Sequence, residues 1–298
     1  MNILLRTGAA LLAALPLSAT AELITDKDFD YRLDDVAADG LVEIDNVSGS
    51  IEVEGIDGRY VRVAGELGKN VEGVEVTRSG KNVRVRVRHD KDENQHGGTD
   101  LRVWLPQGAD VEVAAVSAKV EVRNVRGAQR LNSVSGDVET EAFSENVSAS
   151  SVSGDVSVRG SGGDMDEVDL GSVSGDVIGT RLHGDIEAKS VSGDVVVRDS
   201  VVRRGSFEST SGDLEVSGSL GDDSRLTFQT VSGDVEFIVD GATDGTYMMR
   251  SFSGDLTNCF GPELPESDRN NKRHRFEMGK GLARIEASTM SGDVEFCQ

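Results

Sequence analysis

The stretch Ser133-Val-Ser-Gly-Asp-Val138 (SVSGDV) returns along the C-terminal half of the chain and decides its fold. The tripeptide Ser-Gly-Asp occurs eight times, and successive copies are 18, 21, 18, 19, 21, 21 and 38 residues apart. Such a period indicates a repeat architecture in which each unit buries its apolar face against the next. The spacing predicts an all-β, single-chain β-solenoid, a right-handed parallel β-helix, with coils of 18–21 residues.

Side chains alternate between the two faces of a strand, so odd and even positions of the motif should face opposite sides. Positions are counted from the motif Asp as zero. Position +1 is apolar in all copies, and we expect it in the core: Val138, Val156, Val177, Val195, Leu214, Val235, Leu256 and Val294. Position −3 has the same parity and the same expected place: Val134, Val152, Val173, Val191, Thr210, Val231, Phe252 and Met290. Position −4 is always Ser or Thr and is expected to face solvent: Ser133, Ser151, Ser172, Ser190, Ser209, Thr230, Ser251 and Thr289.

Stacking the coils also aligns the eight motif carboxylates in one column, at a spacing of about 4.8 Å. Those residues are Asp137, Asp155, Asp176, Asp194, Asp213, Asp234, Asp255 and Asp293. One hypothesis is that each Asp accepts hydrogen bonds from nearby backbone N–H groups and Ser hydroxyls at a bend. The alternative is a row of Ca²⁺ sites, because calcium favours carboxylate and carbonyl oxygens. No other cofactor is expected.

The two cysteines occupy equivalent positions of the repeat. Cys259 and Cys297 each follow a motif Asp by four residues. If the 38-residue step holds two coils, their Cα atoms are about 9.6 Å apart, beyond the limit of about 7 Å for a disulfide. If the stretch near 261–281 is instead a loop insertion, the cysteines lie on adjacent coils at roughly 5 Å and can form a disulfide that pins the last coil.

The N-terminal residues are typical of an exported protein. Arg6, the apolar run Ala9–Leu17 and the Ala19-Thr20-Ala21 cleavage site make residues 1–21 a signal peptide. A lead-in segment over 22–45 and an N-terminal β-region with degenerate repeats over 46–130 are then expected, before the regular solenoid of 131–298. The protein is predicted to be periplasmic or extracellular, without stable membrane insertion.

Charge limits the classes of partner. The chain has 53 acidic against 31 basic residues, a net charge of −22. Removal of residues 1–21 loses only Arg6, which gives −23. Such a field repels nucleic acid and anionic lipid. The basic patch Lys272, Arg273, His274 and Arg275 lies in the expected insertion. It is either a solvated loop, a docking point for an anionic partner, or a segment that docks to the acidic flank of its own solenoid.

The runs LRVWLPQGADVEVAAVSAKVEVRNVRG (101–127) and LNSVSGDVETE (131–141) resemble the bacterial "putative adhesin" β-strand-repeat proteins. The resemblance covers roughly residues 40–298. It implies an exported or envelope β-helix, and it identifies no catalytic residues in this chain.

The function expected is therefore a non-catalytic, adhesin-like structural or interaction module that meets an unknown protein or glycan of the cell envelope. Self-association through open solenoid edges is a further expectation. The alternatives are a Ca²⁺-stabilised solenoid and a polysaccharide-acting β-helix. The second is disfavoured because acids are spread evenly along the repeat and Trp104 is the only tryptophan.

Overall fold

The computed structural model describes residues 20–90, 97–241, 244–280 and 282–298. Residues 1–19, most of the predicted signal peptide, lie outside the described ranges, while Thr20 and Ala21 already belong to the first strand. In the N-terminal region the strands are β1 (Thr20–Ile24), β2 (Asp28–Asp34), β3 (Leu41–Ile56), β4 (Tyr60–Glu66), β5 (Val71–Ser79), β6 (Asn82–His89), β7 (Thr99–Pro106) and β8 (Asp110–Arg123).

The repeat region continues with short strands and one helix. Its first strands are β9 (Gln129–Asn132), β10 (Val138–Ala142), β11 (Val147–Ser150), β12 (Val156–Gly160), β13 (Met165–Gly171), β14 (Val177–Thr180), β15 (His183–Lys189), β16 (Val195–Glu208) and β17 (Leu214–Gln229). The last elements are β18 (Val235–Val239), β19 (Gly245–Ser251), β20 (Leu256–Asn258), α1 (Glu266–Asn271), β21 (Arg273–Met278), β22 (Ala283–Thr289) and β23 (Val294–Cys297).

The repeat strands form two parallel ladders, as the solenoid prediction requires. One ladder runs from the second half of β8 through β10, β12, β14, β16, β17 and β18. The other runs from the first half of β8 through β9, β11, β13, β15 and the second halves of β16 and β17. Register follows the motif, since Val138 pairs with Val156 and Val156 with Val177. Handedness stays a prediction.

The N-terminal region caps this stack with mixed pairing. Strand β3 lies parallel to β8 along most of its length and carries β6 and β7 on its other side. Beyond them the pairing becomes antiparallel, through β4 and β2 on one side and β5 and β1 on the other. Antiparallel strands end the regular stacking, so this region is a terminal unit of the same body.

The core lies between the two ladders and is built mainly from valine. All residues at +1 are buried, as parity predicts. Toward the C-terminal end the interior fills with aromatic rings: Phe207, Phe228, Phe237 and Phe296 follow one another at centroid distances of 5.1, 5.4 and 5.6 Å. Ring contacts at these distances stabilise stacked coils beyond the burial of their area.

The predicted alternation of buried and exposed side chains does not hold inside the motif itself. The residues at −3 are exposed, with Val134, Val152 and Val173 each 44% exposed, whereas the hydroxyl residues at −4 are buried. The cause is local, because β9 ends at Asn132 and β10 begins only at Val138. The five residues between them form a turn, and period-two alternation does not extend through a turn.

The last coil does not sit at the end of the stack. Strand β23 pairs with β18 on one side and with β20 on the other, and β22 likewise lies between β17 and β19. The C-terminal coil is therefore inserted between two coils that precede it in sequence.

The prediction of a loop near 261–281 is also wrong, because most of this stretch has regular structure. It contains α1 and then β21, which pairs antiparallel with the outer side of β19. His274 and Phe276 point inward from β21 and are buried, so this strand covers the end of the core.

Candidate functional site

Each SVSGD turn is held by the hydroxyl at −4. In the second repeat, the Gly154 amide donates to Ser151 Oγ at 3.0 Å, and the Ser151 hydroxyl donates to the carbonyl of Gly136 in the preceding coil at 3.0 Å. Ser172 makes the same pair of bonds to Gly175 and Gly154. One buried hydroxyl thus closes its own turn and joins it to the coil before, which explains why this position is always Ser or Thr.

Glycine at −1 is required by how closely the turns stack. A Cβ at Gly154 would lie 2.3 Å from the carbonyl oxygen of Gly136, too close for any side chain. Backbone bonds complete the contact, since Ser153 N–H donates to the Val134 carbonyl at 2.9 Å. The corner of the solenoid is therefore a continuous hydrogen-bonded surface.

The aspartates form the predicted column, and each links to its neighbour. The Asp155 amide donates to Asp137 Oδ1 at 3.0 Å, and the Asp176 amide donates to Asp155 Oδ1 at 2.9 Å. These bonds agree in part with the turn-forming hypothesis, since each Asp oxygen accepts a backbone N–H. The N–H comes from the next coil, however, and the hydroxyls at −4 bond to glycine backbone groups instead. One oxygen of each linked carboxylate is thereby engaged. Calcium binding at these eight residues stays a prediction.

Beside the Asp column runs an exposed, mainly apolar column. It consists of the eight residues at −3, which alternation had placed in the core, and of Val116. Backbone bonds between successive turns give its spatial order: Val116, Val134, Val152, Val173, Val191, Thr210, Val231, Met290 and Phe252. The valines are 43–45% exposed, Met290 56% and Phe252 78%. Nine positions at about 4.8 Å make a strip of roughly 38 Å. The serines at −2 lie between the two columns, and we name the three columns together the Val–Ser–Asp corner.

A lysine occupies one end of the Asp column. Lys272 Nζ lies 2.6 Å from Asp255 Oδ1, and this hydrogen bond, with the Coulombic attraction of the ammonium, lowers the pKa of the Asp255 carboxyl. Asp255 is the outermost member, because its amide donates to Asp293.

The predicted basic patch does not form one continuous surface. His274 is buried against Phe276, at a ring distance of 5.2 Å, and its Nδ1 lies 2.8 Å from Asp268 Oδ2. The hydrogen bond from His274 lowers the pKa of Asp268. Since β21 alternates and Lys272 turns to Asp255, only Arg273 and Arg275 remain exposed cations on this strand.

The two cysteines form the predicted disulfide, with Cα atoms 4.7 Å apart. Glu295 lies beside them, and these three residues are the one group of His, Cys, Asp or Glu side chains with metal-compatible spacing among the described residues. Two of its three ligand atoms are used by the disulfide.

Another surface of the described region surrounds Trp104. The guanidinium of Arg62 lies 4.7 Å from the centroid of the Trp104 ring and also pairs with Asp30 at 2.5 Å. A sugar ring would compete with this cation for one face of the indole. Within the described ranges, no helix is long and apolar enough to cross a membrane.

Residues 98–296 match the Toastrack DUF4097 family. No curated protein matches the chain. Among solved structures, the chain is similar to a "putative adhesin" from Bacteroides fragilis at 11% identity and a TM-score of 0.44, which covers 94% of this chain and 97% of the other.

Two further solved structures are similar at nearly the same sequence identity. One is a "putative lipid binding protein" from Parabacteroides distasonis, with 12% identity, a TM-score of 0.48 and coverage of 91% and 97%. The other is a "putative cell adhesion protein" from Clostridium sporogenes, with 10% identity, a TM-score of 0.24 and coverage of 91% and 100%.

Proposed function

This chain belongs to the Toastrack DUF4097 family, and from that premise we propose that it is an exported, non-catalytic interaction module of the cell envelope. Its binding surface is the Val–Ser–Asp corner. The signal-like segment over 1–21 supports export, and the even spread of acids along the repeat supports a binding role over a catalytic one.

The observation that carries the proposal is the exposed apolar column. Soluble proteins rarely expose long contiguous apolar strips, and those that do commonly use them as interaction sites. Here the strip is ordered by the motif itself, and hydrogen bonds between neighbouring turns fix its backbone. A surface that is already rigid loses little conformational entropy when a partner binds.

The test is site-specific photo-crosslinking in intact cells of the native host. A benzophenone amino acid replaces Val152 on the corner or, as the matched control, Glu145, which is exposed on another turn. We expect the chain in the envelope or medium fraction without residues 1–21, and a discrete adduct from position 152 only. Retention in the cytoplasm, or equal adducts from both positions, would contradict the proposal.

A further inference from the structure

The Val–Ser–Asp corner combines two kinds of surface that a single partner must satisfy. One side is apolar, from Val116 to Phe252, and the other carries eight carboxylates. Of these eight, Asp255 alone forms an ion pair with a described residue. Seven carboxylates therefore face solvent along one line, and their mutual repulsion falls when cations approach.

The chain itself shows which cation fits this column. Lys272 reaches Asp255 from a neighbouring segment and places its ammonium 2.6 Å from Oδ1. The outermost carboxylate of the column is thus accessible to a lysine side chain from the segment that covers the end of the stack. The six interior members from Asp155 to Asp293 are also exposed. Each accepts an amide from the next coil through Oδ1, so its other carboxylate oxygen is the one that a lysine can meet.

Resting on the proposed function, we propose that the corner binds a positively charged, extended segment of a partner protein. Its lysine side chains pair with the Asp column, and its apolar side chains cover the exposed valines. A second copy of this chain fits less well, because it would bring a second acidic column to the same surface. Anionic lipid is disfavoured by the net charge of the protein, −22 for the whole chain.

The repeat distance of the coils and that of the partner segment determine how precisely the two can match. Coils repeat at about 4.8 Å, whereas side chains on one face of an extended segment repeat at about 6.6 Å. The two periods do not match, but the flexible four-carbon stem of lysine accommodates the difference. Affinity then depends on how many lysines are present rather than on their exact positions, and it falls with added salt.

The experiment measures fluorescence anisotropy of a labelled 16-residue peptide of alternating Lys and Val against the exported protein. The test variant is Asp155→Asn/Asp176→Asn/Asp194→Asn, in which each Asn Oδ1 can still accept the amide of the next coil. The control variant, Glu145→Gln/Asp166→Asn/Asp199→Asn, removes the same charge from exposed positions outside the motif. Circular dichroism verifies that both variants fold.

We expect the column variant to weaken binding at least tenfold and the control variant less than twofold. Val152→Thr/Val173→Thr/Val191→Thr keeps branched side chains on the corner and should weaken the Lys–Val peptide several-fold, with little effect on a Lys–Ser peptide. Equal losses in the two charge variants would overturn the inference, because binding would then follow bulk charge. Binding of a Glu–Val peptide or of phosphatidylglycerol vesicles in place of the Lys–Val peptide would also overturn it.

The photo-crosslinking test separates this inference from the proposed function. If Val152 forms its adduct equally in the column variant and in the wild type, the corner is an interaction surface but its partner is not cationic. If Val152 forms no adduct and the Lys–Val peptide does not bind, both proposals fail.

Discussion

The backbone amide of Asp293 donates to Asp234 Oδ1 at 2.8 Å, although 59 residues separate them, and Asp293 in turn accepts the amide of Asp255. This pair of bonds places the C-terminal coil inside the stack. The sequential alternative, with the coil of Asp255 directly on that of Asp234, would leave the Cys259–Cys297 pair adjacent as well. The disulfide therefore does not decide the order of the coils.

Engineered disulfides can decide that order. Glu236 lies directly opposite Glu295, while Glu236 and Thr257 are two coils apart. In a Cys259→Ser/Cys297→Ser background, we expect Glu236→Cys/Glu295→Cys to oxidise completely and Glu236→Cys/Thr257→Cys to stay reduced, since its Cα distance of about 9.6 Å exceeds the bridging limit. Thiol titration and non-reducing mass spectrometry measure both. The reverse pattern would establish the sequential order.

The buried hydroxyls should contribute more to stability than any other polar group of the motif. Ser172→Ala removes the acceptor of the Gly175 amide and the donor to the Gly154 carbonyl, and both groups stay buried. We expect a loss of about 1–3 kcal/mol in the free energy of unfolding. Ser172→Thr should cost far less, because Thr230 and Thr289 make the same bonds. Urea unfolding tests both variants, and equal losses would disprove the hydroxyl role.

These hydroxyls also explain what the sequence could predict. Alternation correctly placed the residues at +1 in the core, because they lie in strands. It misplaced Val134 and its equivalents, because a Ser followed three residues later by Gly closes a turn and ends the alternation. That spacing of Ser and Gly was a usable signal for the exposed column. The inserted coil had no such signal, since the motif has the same register wherever it stacks.

The end of the solenoid likewise could not be predicted in full from the sequence. The two prolines and the charge cluster of the stretch 261–281 predict a loop. Its Arg273–Met278 part does alternate, with His274 and Phe276 inward and Arg273 and Arg275 outward. One short charged strand gives a weak pattern, and its burial depends on β19, which pairs with it only in the folded protein.

The stability of the protein should not depend on the negative charge of the Asp column. Asp155→Asn keeps an oxygen for the Asp176 amide and relieves repulsion of nearly 1 kcal/mol between neighbouring charges, so stability should stay equal or rise slightly. Asp155→Ala removes that acceptor and should cost about 0.5–1 kcal/mol. Thermal unfolding with millimolar Ca²⁺ or with chelator should give the same midpoint. A calcium-dependent rise that Asp155→Asn abolishes would instead establish the column as a metal site.

The Lys272–Asp255 pair predicts a local dependence on pH. The lysine lowers the pKa of Asp255, so the pair stabilises the fold above the ordinary pKa of the carboxyl, and this stabilisation is lost as pH falls through the lowered value. An NMR titration should find the Asp255 carboxyl below the usual range in the wild type and near it in Lys272→Met. Unchanged titration in Lys272→Met would mean that the contact does not persist in solution.

Reduction of the disulfide should destabilise the C-terminal coils selectively. The bond closes a loop of 38 residues, and loop closure of that length corresponds to about 3–4 kcal/mol at 25 °C in the chain-entropy estimate. Because coils contact only their neighbours, we expect the loss to concentrate between Val235 and Cys297. Hydrogen exchange with and without a phosphine reductant measures this, and Cys259→Ser/Cys297→Ser should exchange like the reduced protein in both conditions. Uniform loss of protection back to β8 would show instead that the solenoid unfolds as one cooperative unit.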